Sequence, residues 1–317
     1  MLNFIYLLGG ITLIIYSANW LVEGASAIAK KIGISDLVIG LTIVALGTSA
    51  PELTVNIFSA LKGSTDIAVG NVLGSNVCNI LLILGIATII NPITIKKKTQ
   101  WREIPFALLA AVVLGIIAND VYLDNAPQGN FVSRLDGLIL LCFFAIFLVY
   151  TFEIARHVSD DSEKVEVSPT WKAALFILCG LVGLLFGGQY LVEGAVNIAK
   201  LIGMSEKVIG LTIIAIGTSL PELATTIVAA RKKKGDLAIG NVIGSNIFNT
   251  FFILGTTATI HPLPITASMN VDLAFNLIVS VLLFGATFIF TRGILGKIEG
   301  SIFVALYFSF LTYSLLQ

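Results

Sequence analysis

The sequence predicts an all-α membrane protein: ten transmembrane helices in two inverted-topology repeats of five, with helices 2, 3, 7 and 8 interrupted. Three observations carry that prediction. Of 317 residues, 56% are hydrophobic and 12% charged, with a mean hydropathy of +0.96, outside the range of soluble globular domains. Ten apolar runs each approach the roughly 20 residues that a helix needs to cross the hydrocarbon core. The chain also repeats itself at an offset of 170 residues: Leu21-Val22-Glu23-Gly24-Ala25 returns as Leu191-Val192-Glu193-Gly194-Ala195, and Glu52 returns as Glu222.

The runs fall near 2–29, 37–61, 67–90, 103–119 and 135–155, then near 171–199, 207–230, 237–260, 272–291 and 298–316. The first lacks a basic leader segment and an obvious cleavage site, so it reads as a transmembrane helix rather than a signal peptide. Each half holds five runs, an odd number, so the second half enters the membrane from the opposite side, as in many secondary transporters. The expected division is residues 1–156 for the first repeat, 157–169 for a short polar linker and 170–317 for the second. Between Val38 and Gly85, set against Val208 to Gly255, more than half the positions are identical.

Loop charges set the orientation. Lys30, Lys31, Lys96 to Lys98, Arg102, Arg156, Lys164, Lys172, Arg231 to Lys234, Arg292 and Lys297 collect on one side. Lys62, Arg134, Lys200 and Lys207 are on the other, so the positive-inside rule places both termini outside and the linker inside. The linker acids Asp160, Asp161, Glu163 and Glu166 read as a solvated loop rather than a calcium sensor. Cys78, Cys142 and Cys179 lie in apolar runs with neither metal-ligand spacing nor a disulfide framework, and read as small buried packing residues.

Two stretches stand out: Gly47-Thr48-Ser49-Ala50-Pro51-Glu52 and its copy Gly217-Thr218-Ser219-Leu220-Pro221-Glu222. Each glutamate is the only charge inside its apolar run, Lys207 standing at the very edge of the second. A charge at membrane depth costs roughly 2.5 to 3.5 kcal/mol, so it faces protein or water and marks an ion path. Pro51 and Pro221 have no N–H for the carbonyls of Gly47 and Gly217, which predicts a kink or break. Ala45, Thr48 and Glu52 share one helical face, as do Ala215, Thr218 and Glu222. A carbonyl, a hydroxyl and a carboxylate together suit a hard cation such as Ca²⁺ or Na⁺.

The next run of each half carries Gly70-Asn71-Val72-Leu73-Gly74-Ser75-Asn76-Val77-Cys78-Asn79 and Gly240-Asn241-Val242-Ile243-Gly244-Ser245-Asn246-Ile247-Phe248-Asn249. Ser75 and Asn79 stand one turn apart on one face, as do Ser245 and Asn249, so each helix offers a hydroxyl and an amide oxygen. Close helix packing alone explains small and polar residues in one such run; their duplication beside an acidic run favours a site. No Lys, Arg or His in these four runs neutralises Glu52 or Glu222. Glu23 and Glu193 lie within about two turns of Lys30 or Lys200 and fit an interfacial role. Asp66 and Asp236 read as helix starts.

GTSxPE followed by GNxxGSNxxN, twice, resembles the cation/calcium exchanger superfamily, and within it the prokaryotic sodium/calcium exchangers. The resemblance covers essentially the whole chain. It implies that Glu52 and Glu222 are carboxylates shared by Ca²⁺ and Na⁺, with Thr48, Thr218, Ser75 and Ser245 as hydroxyl or carbonyl ligands. It further implies backbone oxygens of Ala45 and Ala215 at flanking sodium sites, Asn79 and Asn249 lining the middle, and helices 1 and 6 as a moving pair. Potassium-dependent members carry Asp where this chain has Asn249, which argues against potassium co-transport. The long cytoplasmic insert of animal exchangers is missing.

The expected function is a secondary antiporter in the plasma membrane that exchanges Na⁺ for Ca²⁺ by alternating access and exports Ca²⁺. The resemblance implies three Na⁺ per Ca²⁺, hence electrogenic transport. Its substrates are Ca²⁺ and Na⁺; no cofactor, nucleic acid or obligatory protein partner is expected, and a monomer suffices. A Ca²⁺/H⁺ antiporter is the alternative, and a passive cation channel ranks below it. An enzyme is not expected: His157 and His261 fall in loops and no nucleophile has a base beside it.

Overall fold

The computed structural model describes residues 2–63, 65–121, 129–156, 169–203, 215–289 and 293–316. Within them the chain is helical apart from four short strands. Helix α1 (Leu2–Ile32) ends on Lys30 and Lys31, with Gly33 just beyond at φ 71°, the left-handed position where a glycine terminates a helix without a Cβ penalty. Helix α2 begins where the Ser35 hydroxyl accepts the Val38 N–H, an ordinary N-cap. It runs Asp36–Ile39, then Gly40–Val44 in π-helical winding, then Ala45–Thr48.

The chain breaks at Ser49 and resumes as α3 (Ala50–Leu61), bent 46° from α2. Pro51 sits in the first turn of α3, where a missing N–H costs no hydrogen bond. In the second half the same device separates α9 (Ala215–Thr218) from α10 (Leu220–Arg231). The proline-driven interruptions of helices 2 and 7 are therefore present.

Helices 3 and 8 differ from expectation. Neither is interrupted: α4 passes from Thr65–Val77 through a π-helical Cys78–Leu84 into Gly85–Ile90. Between these two halves come α5 (Lys97–Trp101), α6 (Glu103–Ile117), α7 (Arg134–Arg156) and α8 (Thr170–Leu201). Then α11 repeats the passage of α4 through Gly235–Ile247, Phe248–Leu254 and Gly255–Ile260. Without a proline, the backbone donors shift to the i−5 carbonyl instead of losing their partner. Helices α12 (Ala267–Ile289) and α13 (Lys297–Leu316) complete the chain.

Among the described residues, seven helices are long and apolar enough to cross a membrane, and the bent α2–α3 pair makes an eighth. The protein is a multi-pass membrane protein. The two helices with the asparagine motif are central: in their most apolar stretches 78% of α4 and 94% of α11 is buried, against 22% of α7. Aromatic rings key α7 onto the π-helical turn of α11, with Phe144 4.8 Å from Phe248 and Phe143 5.4 Å from Phe251 between ring centroids.

Contacts between the halves come in exchange-related pairs. Helices α1 and α8 lie antiparallel at backbone contact. A Cβ on Gly10 would sit 2.7 Å from the Leu191 nitrogen, and one on Gly180 would sit 2.7 Å from the Leu21 nitrogen. Strand β1 (Ile93–Thr94) pairs with β4 (Ile294–Leu295), while β3 (Leu263–Ile265) pairs with β2 (Asn130–Val132). Each short sheet thus takes one strand from either half.

The reading of the cysteines needs correction. Cys78 is buried, but Cys142 and Cys179 are exposed, because they lie on outward faces of α7 and α8 that are as apolar as the core. By contrast, Asp236 stands in the first turn of α11 as a helix start should, pairing with Lys96 at 2.6 Å, and the exposed Glu23 pairs with Lys232 across 2.7 Å. Beside that pair, burial lowers the Lys234 ammonium from its ordinary pKa. The linker acids with His157 and Lys164, the start of the seventh run with Lys207, and Arg292 lie outside the described residues, as does the side chain of Asp66.

Candidate functional site

The breaks at Ser49 and Ser219 put Glu52 and Glu222 in the first turns of α3 and α10, where the helix dipole favours a negative charge. Both carboxylates are buried, each 1% exposed. Ser49 donates its hydroxyl to Glu222 Oε1 at 2.9 Å. Ser219 in turn donates to Glu52 Oε1 at 3.3 Å, an oxygen that the Ser75 hydroxyl also approaches at 3.4 Å. Each glutamate is thereby held by the serine of the opposite half.

The asparagines follow the same exchange. Asn79 Nδ2 donates to Asn246 Oδ1 at 2.9 Å, and Asn249 Nδ2 donates to Asn76 Oδ1 at 3.1 Å. Asn76 Nδ2 reaches Thr250 Oγ1 at 2.9 Å and Asn246 Nδ2 the Asn76 carbonyl at 3.3 Å. These bonds cross α4 and α11 antiparallel at their π-helical turns. All four amides commit an N–H across the halves, Asn76 to Thr250 and the other three to Asn246 or Asn76, which leaves the side-chain oxygens of Asn79 and Asn249 over.

Those leftovers define the site's chemistry. Glu52 Oε2, Glu222 Oε2, Asn79 Oδ1, Asn249 Oδ1 and Ser245 Oγ are buried with no hydrogen-bond partner. A buried acceptor without a donor costs about 1 to 3 kcal/mol, and more when ionised. Native proteins keep such groups for a reason. An excess of unpaired oxygen, with no Lys, Arg or His among it, is what a dehydrated hard cation requires. No cluster of three His, Cys, Asp or Glu side chains is present among the described residues, so the donor set is two carboxylates plus neutral oxygens.

The remaining predicted residues sit less uniformly. Thr48 is fully buried, its hydroxyl 3.2 Å from Asn241 Oδ1 and 3.4 Å from the Ala45 carbonyl. That carbonyl already accepts the Ser49 N–H at 3.0 Å. Thr218 is half-buried, and Ala215 opens α9 with its side chain outside the described residues. The structure brings in residues that the sequence left without a role: Ser49, Ser219, Asn76, Asn246, Asn241 and Thr250. All stand in or beside the duplicated motifs, but their cross-half pairing has no local sequence sign.

A family model described as sodium/calcium exchanger protein matches residues 2–153 and 172–316. The chain belongs to that family. The "Sodium/calcium exchanger MaX1" of Methanosarcina acetivorans is 32% identical over 98% of this chain and 97% of its own length. The "Inner membrane protein YrbG" of Escherichia coli (strain K12) is 39% identical over 81% of this chain and 79% of its own. A solved structure of the sodium-calcium exchanger NCX_Mj, soaked with 2.5 mM Na⁺ and 1 mM Sr²⁺, is 34% identical and superposes with a TM-score of 0.85 over 98% of both chains. Family membership and this likeness identify a cation exchange transporter.

Proposed function

We propose that the chain is a secondary active antiporter that exchanges Na⁺ for Ca²⁺ by alternating access and exports Ca²⁺ from the cell. The observation that carries the reading is the pair of buried glutamates whose Oε2 atoms lack any partner, beside unpaired Asn79 and Asn249 oxygens. Moving two bare carboxylates through a dry state is costly. One Ca²⁺ neutralises them, as do several Na⁺, and because the ions compete for the same oxygens, Na⁺ entry displaces Ca²⁺. With three Na⁺ per Ca²⁺ the loaded site changes charge between its two forms, so transport is electrogenic. A neutral amide at Asn249 supports potassium independence.

The ligands in this reading are Glu52, Glu222, Thr48, Thr218, Ser75, Ser245, Asn79 and Asn249, with backbone oxygens of Ala45 and Ala215. The architecture is ten spans in two inverted repeats, residues 1–156 and 170–317, joined by the cytoplasmic segment 157–169. The antiparallel α1–α8 pair and the exchanged hydrogen bonds support it. Both termini face outside the plasma membrane, a monomer suffices, and no cofactor takes part.

The test is ⁴⁵Ca²⁺ uptake into proteoliposomes loaded with Na⁺, compared with vesicles loaded with K⁺ or given a proton gradient alone. Uptake only with internal Na⁺ is expected. Equal uptake driven by protons would make the chain a Ca²⁺/H⁺ antiporter, and uptake without any counter-ion a channel.

A further inference from the structure

A groove of about 400 Å³ lies between α1 and α10, with Leu191 of α8 also in its lining. Its walls are apolar, with Ile11, Ile14 and Ile15 on one side and Leu220, Leu223 and Ile227 on the other. Its polar residues gather toward one end, where Asn19 stands one turn before Glu23, the partner of Lys232. There Arg231 and Lys232 line the mouth and begin the run Arg231-Lys232-Lys233-Lys234. Lys232 is neutralised by Glu23 at 2.7 Å. Arg231 is exposed, and no carboxylate lies within 4 Å of it among the described residues.

We propose that this groove binds an anionic phospholipid, with one acyl chain along the apolar walls and the headgroup phosphate on Arg231. Dimensions support this occupant. Leu220 and Arg231 are eleven residues apart on one helix, about 16 Å at 1.5 Å per residue. One leaflet of a hydrocarbon core about 30 Å thick is about 15 Å deep. A chain anchored at Arg231 therefore ends near the level of Leu220, the lining residue of α10 farthest from Arg231 along the helix. Charge supports it too: a guanidinium grips a phosphate through two parallel hydrogen bonds, and basic clusters between membrane helices attract anionic headgroups.

The proposal does not rest on the exchange reading. It has one consequence for that reading: the lipid touches α1 and also the turns of α10 that flank Glu222, and so links the two helices.

The purified full chain, stripped of lipid in detergent, is titrated with dioleoyl phosphatidylglycerol or dioleoyl phosphatidylcholine, and bound lipid is counted by native mass spectrometry. Phosphatidylglycerol is expected to bind at least fivefold more tightly. Arg231→Ala should bring it down to the phosphatidylcholine level, whereas Lys97→Ala, at a separate basic surface, should leave it unchanged. Ala224→Trp, which fills the groove, should lower binding of both lipids at least fivefold; Ile11→Trp fills it from the other wall if the first variant does not fold. Gel filtration and circular dichroism check each variant. Equal binding of the two lipids, an unaffected Arg231→Ala protein, or unaltered binding in the filled groove would each overturn the proposal. Free oleate binding as tightly as phosphatidylglycerol would overturn the phospholipid assignment.

Discussion

At the scale of single residues, the site depends on which oxygens lack a donor. Replacing Glu52 or Glu222 by Gln keeps the shape but removes the charge that, in the proposed site, draws a cation to membrane depth. Each variant is expected to insert normally and to lose Na⁺-dependent ⁴⁵Ca²⁺ flux to background; flux retained in either purified protein would remove these residues from the site. Asn249→Asp is a sharper probe. Asn249 Nδ2 donates to Asn76 Oδ1 at 3.1 Å, and a carboxylate there would set two acceptors against each other while adding a third negative charge. At least a tenfold fall in flux in potassium-free buffer is expected. Ser49→Ala leaves Glu222 Oε1 without its donor and should lower the stability of the ion-free protein by about 1.5 to 3 kcal/mol, read as a drop in its unfolding temperature.

Lys233 tests a backbone cost. Its φ of 58° is left-handed, while the equivalent position of the first half is Gly63 at φ 72°. A side chain there costs roughly 1 to 2 kcal/mol. Lys233→Gly is therefore expected to raise the unfolding temperature by a few degrees without changing flux.

At the scale of elements, the legible parts were those with a local cause. Pro51 and Pro221 lack a donor, and the chain breaks where that lack predicts. The π-helical turns at Cys78–Leu84 and Phe248–Leu254 were not legible, because winding depends on what the helix packs against, here in part the aromatic rings of α7. Ser49 and Ser219 were visible inside the motifs, yet their bonds to the opposite glutamates arise only when two distant breaks meet. Cys142 and Cys179 were misplaced because lipid-facing and buried positions are equally apolar, so hydropathy does not separate them. The glycines of α1 and α8 give the element scale its prediction. Gly10→Val would drive a side chain into the backbone of α8 at 2.7 Å. The pair must then separate, and flux should fall at least tenfold while Gly9→Val, in open space, leaves it intact.

At the scale of the whole molecule, the two short sheets join the halves. Thr94 and Ile294 face each other in register, and antiparallel partners lie about 4.5 to 5.5 Å apart between Cα atoms, within disulfide reach. The double variant Thr94→Cys/Ile294→Cys should cross-link on oxidation and keep its flux, since the link follows a contact already made within the static part of the proposed transporter. Loss of flux on oxidation, restored by reduction, would show that these strands part during the cycle.

The placement of those sheets has a mechanical meaning. Helices α4 and α11 cross antiparallel, and β1 follows one while β3 follows the other, so the two strand pairs sit at opposite ends of the central bundle. A body riveted at both ends has no clamshell freedom left. In the proposed exchange cycle, the part that opens the site to one side and then the other would lie outside the rivets. In the proposed transporter that part is the α1–α8 pair, which contributes no strand to either sheet and would travel past the fixed body like a piston past a cylinder wall.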